Sequence, residues 1–299
     1  MKKVGNWRFE ALYWDYAWSI VFFSFIFSIL LGGISVFNTL SLSAAGLAIF
    51  SGLVWGFGNI LLVGSIALAG YAVAFPIAIG FAVILGTLLA FFTKPSATAN
   101  PNFLFLGITF ITLAILLNSF AYRIRERGKI TSKNVILRGI FVALTAGLLI
   151  GLFPFPFNFA FERGLNGYTG ALLMSTGGFL ATLILLPFLM KRPIVPNEKP
   201  ITFMEYGRGK PTWHLWGIVG GLVWSIGTTL NLIVASQPQF GIAITYALGN
   251  GAPMVAAIWG IFIWKEFKKA PISSYLILAF MFLFFILGIA TLGLSIIGK

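Results

Sequence analysis

Nine runs of apolar residues, each long enough to cross a bilayer, follow one another along this chain almost without interruption, and nothing constrains its fold more. A hydrocarbon core about 30 Å thick takes roughly 20 residues of helix, because in lipid each backbone amide must bond within its own segment. The runs lie at 11–33, 44–69, 72–92, 102–122, 136–160, 168–190, 212–236, 240–264 and 272–297. Short strands of alternating apolar and polar residues, which would mark a membrane barrel, are not found. The expected fold class is therefore all-α: a polytopic transmembrane helical bundle of nine spans, with no soluble domain of useful size. Hydrophobic residues at 59% and charged residues at 9% place the chain equally far from a soluble domain. The start, MKKVGNWRFE, lacks the apolar stretch and small-residue site of a cleaved signal.

Positive charge decides orientation. If successive spans thread back and forth, one side receives seventeen of the twenty Lys and Arg, including the RIRERGK loop, and the other only Lys94, Arg163 and Lys299. By the positive-inside rule the first side is cytoplasmic, which puts the N-terminus as given inside and the C-terminus outside. The net charge of +13 thus reflects topology and anionic membrane lipid rather than a nucleic-acid partner.

Chemistry is thin by comparison. With no cysteine and one histidine, the chain has no zinc set, no metal site of the usual kinds and no Cys/His pair, and no cofactor is expected. GRGKP at 207–211 is no phosphate loop, since Met204 stands where its first glycine belongs and Pro211 where Ser or Thr belongs. The seven carboxylates cluster at span ends, so an enzyme is not expected.

Internal repetition says more. At an offset of 169 residues, Gly52, Leu53, Val54, Trp55 and Gly58 fall on Gly221, Leu222, Val223, Trp224 and Gly227. Ala74, Ala78 and Gly80 fall on Ala243, Ala247 and Gly249 in the same register, and an offset of 152 sets Phe9, Glu10 and Tyr16 on Phe161, Glu162 and Tyr168. The second span runs inward and its mate, the seventh, runs outward, so the halves are inverted. Inverted repeats characterise secondary transporters that bind solute near the midplane. Residues 1–123 form an N-terminal half of four spans, 124–135 a basic cytoplasmic loop, and 136–299 a C-terminal half of five. The fifth span has no mate. Either a tenth helix once preceded residue 1 (or the chain begins at a late start codon), or this span is an extra linking helix.

The stretches WRFEALYWDY, GLVWGFGNILLVGSIALAGYAVAFPIAIG, HLWGIVGGLVWSIGTTLNL and YALGNGAPMVAAIWGIFIWKEF resemble the ureide permease-like branch of the drug/metabolite transporter superfamily, related to glucose/rhamnose-type sugar uptake proteins. The resemblance runs from Trp7 to about Ala270 and implies a ten-helix, five-plus-five inverted-repeat fold, here lacking its first helix. It also implies a permease of a bacterial inner (plasma) membrane, moving ureides and nucleobases on one branch or sugars on the other.

A small polar solute needs amide or hydroxyl partners and flat apolar faces. Trp55 and Asn59 are four residues apart and share one helical face, as do Trp224 and Thr228 on the mate. With Asn231, Tyr246, Asn250 and Phe75 they form the candidate substrate site. An Asn inside a span needs a partner, a cavity or water, so helix-to-helix bonding is the plain alternative for each. Gly249, Gly251 and Pro253 around Asn250 weaken the backbone ladder and predict a broken helix, and Pro76 with Gly80 predict a milder break in the mate. Coupling to H+ or Na+ would be easiest at a buried carboxylate; Asp15 is the candidate, against a plain bond to a neighbouring helix end. Glu10 and Glu162 read as matched helix starts, His214 as part of the interfacial aromatic belt, Asn158 as a residue near an outer gate or, more plainly, a structural part of a Pro-rich helix end, and Gln237 and Gln239 as solvated. The leading function is a secondary transporter working by alternating access on a small-molecule solute; the rival is a truncated, non-transporting membrane protein or interaction scaffold.

Overall fold

Helices in lipid stop where a residue can take over the freed backbone groups, and the ends of this bundle follow that rule. The structure is a computed structural model and describes residues 7–93, 100–125, 132–237, 240–263, 265, 267–268 and 270–297. Helix α1 spans Phe9–Gly32 and ends at Gly33, whose φ of 74° suits glycine. A short 3₁₀ turn at Ile34–Phe37 leads to α2, Leu42–Ala69, where the Ser41 hydroxyl accepts a bond from the Ala44 amide at 3.1 Å. Next come α3 at Tyr71–Thr93 and α4 at Pro101–Arg125. Helix α5, Lys133–Leu152, hands over at Phe153 to α6, Pro154–Glu162, with proline in the first turn where its missing N–H costs nothing. Helix α7, Gly167–Lys191, is capped by Asn166, which accepts from the Thr169 amide at 2.8 Å. A connecting turn, α8 at Phe203–Gly207, carries a Thr202/Glu205 capping box and precedes α9, Pro211–Ala235.

The run at 240–264, expected as one crossing, is not a single helix. It divides into α10 at Gly241–Gly249, a turn at Asn250 and Gly251, α11 at Ala252–Ile258 and a π-helical turn at Trp259–Ile263. Pro253 offers no N–H to the Gly249 carbonyl, and two glycines flank Asn250, so the ladder fails there. Helix α12, Ile272–Ile297, closes the described chain. Among the described residues there is no strand, and eight helices are long and apolar enough to cross a membrane, counting 133–162 as one. Helix α3, by contrast, continues through Pro76 and Gly80, which do not break it. Proline there removes a single ladder bond near the start of the helix, too little to interrupt it.

Glycine seams set the packing, since lipid provides no hydrophobic drive and helices must approach closely. A Cβ at Gly52 of α2 would stand 2.7 Å from the Met174 carbonyl carbon of α7, and one at Gly56 would stand 2.7 Å from the Gly178 Cα. On the other side, a Cβ at Gly217 of α9 would lie 2.5 Å from the Asp15 Cβ of α1, and one at Gly221 2.7 Å from the Tyr16 carbonyl oxygen. Helix α7 packs on both α1 and α2, which scarcely touch each other. Helix α5 covers α2 and α3, with Gly58 against Ile150 and Ala146, and α12 lies along α4 with Gly288 against Ile111.

Candidate functional site

Two aromatic rings from the two halves of the chain meet. The Trp55 and Trp224 rings lie 4.5 Å apart, tilted by 34°. Trp55 is buried, and a turn further along α2 the Asn59 amide donates to the Tyr13 hydroxyl at 3.1 Å. The Tyr13 and Tyr16 rings pack edge to face at 5.4 Å. Beside them Tyr13, Ala17, Ile20, Trp55, Ser175 and Thr182 border a void of about 10 Å³, room for roughly one water. The space between α1, α2 and α7 is therefore closed to anything much larger than a water.

A second polar group forms where α10 breaks. The Asn231 amide of α9 donates to the Thr245 carbonyl at 2.7 Å and lies against Gly249. The Asn250 amide turns back onto the Tyr246 carbonyl at 2.8 Å. The Tyr246 hydroxyl is buried and donates to the Ala82 and Ile150 carbonyls at 3.1 and 3.2 Å, pinning α10 to α3 and α5. Thr228 is half-buried one turn beyond Trp224, whereas Phe75 stacks on Tyr71 at 4.6 Å and packs against the same apolar core as Trp55 and Tyr246. Thus the tryptophans come together, Asn59 pairs with tyrosines of α1 rather than with Thr228, and Asn231, Tyr246 and Asn250 gather at the break. The side chain of Pro253, and Gln239 and Glu266 altogether, lie outside the described residues.

Sequence reading missed a third cluster. Asp15 is buried, and its carboxylate accepts from the Tyr206 hydroxyl at 2.6 Å and bonds His214 Nδ1 at 2.7 Å. His214, expected in an interfacial belt, is thus a partner of Asp15, packed between the Trp7 and Tyr206 rings at 4.8 and 4.9 Å. Burial first, then the bond to the Asp15 carboxylate, push the Tyr206 hydroxyl above its ordinary range, so it remains a donor. Glu10 sits in the first turn of α1, buried and paired with Arg8, which also holds Glu198. Glu162 does not match it: it is the exposed last residue of α6, because the chain turns at Gly164 and Asn166 caps the next helix. Asn158, expected near a gate, is buried and ties α6 to Ala90 and Thr93 of α3, each at 3.1 Å. A groove of about 370 Å³ between α1 and α7, bordered by Trp18, Phe22, Phe25, Leu172 and Phe179, is almost wholly apolar and suits lipid chains rather than a polar solute.

Eight membrane-length helices around a closed polar centre define a polytopic integral membrane protein of the helical-bundle class. The profile of the family described as "Sugar transport protein" matches residues 19–295, and the chain belongs to that family. It is 27% identical to Ureide permease 4 of Arabidopsis thaliana, over 56% of this chain and 43% of that protein. It is 25% identical to the probable glucose uptake protein GlcU of Bacillus cereus, over 82% of this chain and 79% of that one. A putative sugar uptake protein of Listeria monocytogenes is 26% identical over 82% of this chain and 77% of its own length. The chain spans less than half the length of the ureide permeases it matches. One crystal structure matches 97% of this chain and 88% of its own at a TM-score of 0.58 and 16% identity, a likeness of fold alone.

Proposed function

We propose that this chain is a secondary transporter that carries a small polar solute, a ureide, nucleobase or sugar, across a bacterial inner membrane by alternating access. The contact between Trp55 and Trp224 carries the reading. These residues occupy matched positions 169 apart in the sequence, on helices that the charge distribution directs oppositely, and their rings meet beside the Tyr13–Asn59 bond and the void. An inverted pair of halves, 1–123 and 136–299 joined by the basic loop at 124–135, brings such positions together at its pseudo-two-fold. The seams agree: Gly52 packs on α7 of the other half, and its mate Gly221 packs on α1. Trp55, Asn59, Trp224, Thr228, Asn231 and Asn250 are assigned to solute, Tyr246 and Phe75 to the walls, and Asp15 to ion coupling. The basic face is the cytoplasmic one.

A five-plus-five arrangement of ten helices is supported by one asymmetry. Gly58 lies under α5, whereas its mate Gly227 is exposed, with nothing among the described residues within 4 Å of a Cβ built there. A counterpart of α5 would cover that face. The same bare face favours the second reading, a membrane protein that moves nothing. Proteoliposomes containing the chain, tested with allantoin, uracil and glucose and then with a mixed metabolite pool, separate the two. Saturable uptake of any of these supports the transporter; no uptake of any component sinks it.

A further inference from the structure

Asp15 presents a charge problem that His214 is placed to solve. Its carboxyl side chain is 3% exposed, and a buried carboxylate is costly without a countercharge. On its own helix it meets the Trp18 indole N–H at 3.4 Å, and Arg8, just before that helix, is committed to Glu10, Glu198 and the Lys199 carbonyl. From α8 it meets Tyr206, while Glu205 is bonded to Thr202. From α9 it meets His214, and Lys210 lies over the Trp213 ring at 5.4 Å instead. Among the described residues, the imidazole is therefore the sole basic group bonded to this carboxylate. Its side chain is 22% exposed, and its Nε2 has no partner among the described residues. Trp7, Tyr206 and Trp213 wall the cluster, so it ties the segment 203–214 down onto the end of α1.

We propose that Asp15 and His214 form a proton-binding site that clamps the 203–214 segment over the basic face of the bundle, so that this face closes more tightly in acid and loosens in alkali. The proton adds from water to Nε2, Nδ1–H keeps its bond to the Asp15 carboxylate, and the neutral imidazole becomes a cation. No other bond forms or breaks. Histidine is the side chain whose charge changes between about pH 5 and 8, and Tyr206 stays protonated throughout that range. The sign follows from charge: a protonated imidazole faces the Asp15 carboxylate as an ion pair, whereas the neutral ring keeps only the Nδ1–H hydrogen bond. The proposal rests on the transporter reading only in giving this closure a role in the transport cycle.

The absence of cysteine and the single histidine make the test clean. Exposed Met204 is replaced by cysteine, spin-labelled, and the full chain reconstituted in nanodiscs without solute. Between about pH 5.5 and 8 the mobile fraction should rise, the open-to-closed ratio changing by up to about tenfold per pH unit if one proton binds on closing. His214→Gln, which keeps a donor but does not titrate, and Asp15→Asn should each give a pH-independent label. A pH-independent label in the parent, or an unchanged profile in His214→Gln, overturns the proposal. Should the variants fail to fold, ¹⁵N-histidine labelling of the unmodified chain reads its one imidazole: Nε2 should exchange its proton with pH while Nδ1 keeps its own, and the reverse overturns the idea. Because mobility is read without solute, a chain that moves nothing can still show the clamp. A transporting chain with a pH-blind label loses only this inference.

Discussion

Asn59 lies where two explanations can be separated by energy. Its amide donates to the Tyr13 hydroxyl at 3.1 Å, joining α2 to α1. If that bond is all it does, Asn59→Ala removes one interhelical hydrogen bond, which averages about 0.6 kcal/mol in membrane proteins and reaches about 1.7. In a bundle of this size that is a fall of about 1–2 °C in Tm. If Asn59 also holds solute, the variant leaves a polar solute group unpaired, at about 1–3 kcal/mol, which is roughly 5- to 150-fold in half-saturation. Tyr13→Phe deletes the same helix-to-helix bond from the other side and leaves the amide free. Both variants should lose similar, small amounts of thermal stability in detergent, and only Asn59→Ala should weaken uptake in proteoliposomes. Equal losses of uptake in the two would refute the assignment and make Asn59 a structural tie.

The glycine seams give a matched pair of tests. Gly52→Ala places a methyl within 3 Å of Met174 backbone atoms and should cost about 1–3 kcal/mol, seen as a lower Tm, while Gly227→Ala meets nothing and should be neutral or slightly stabilising; an unaffected Gly52→Ala would contradict the close α2–α7 approach. Tyr246→Phe removes the donor to the Ala82 and Ile150 carbonyls and should lower stability by about 1 kcal/mol, with uptake retained at permissive temperature. Loss of uptake in a well-folded Tyr246→Phe would move this residue from the wall into the solute site.

Features set by local chemistry were legible in the sequence. Apolar length located the eight long helices with no boundary displaced by more than three residues, and the Gly-Asn-Gly-Ala-Pro stretch marked where α10 ends. Partnerships across the bundle were not. His214 beside two tryptophans looks like a belt residue until Asp15, 199 positions earlier, is seen against it. Nothing in the spacing of Tyr13 and Asn59 announces their bond, and Tyr206 reaches Asp15 from a connecting turn. Pro76 and Gly80 show the opposite error: the residue types suit a break, but a helix packed along its length by α5 and α4 withstands one lost bond. Glu162 was misplaced because Asn166 takes the cap four residues later.

The scant contact between α1 and α2 bears on how such a chain is made. Helices emerge from the ribosome in order, yet α1 and α2 have little to offer each other. The surfaces that fit them, at Met174 and Gly178 of α7 and at Gly217 and Gly221 of α9, are synthesised more than a hundred residues later. Until then the α7-facing side of α2 and the packing side of α1 stand open to lipid, and α1 must wait in the membrane as a separate span. Completion of this bundle is therefore late, and a chain interrupted before residue 167 would leave α1 without α7 and α9, and α2 without α7.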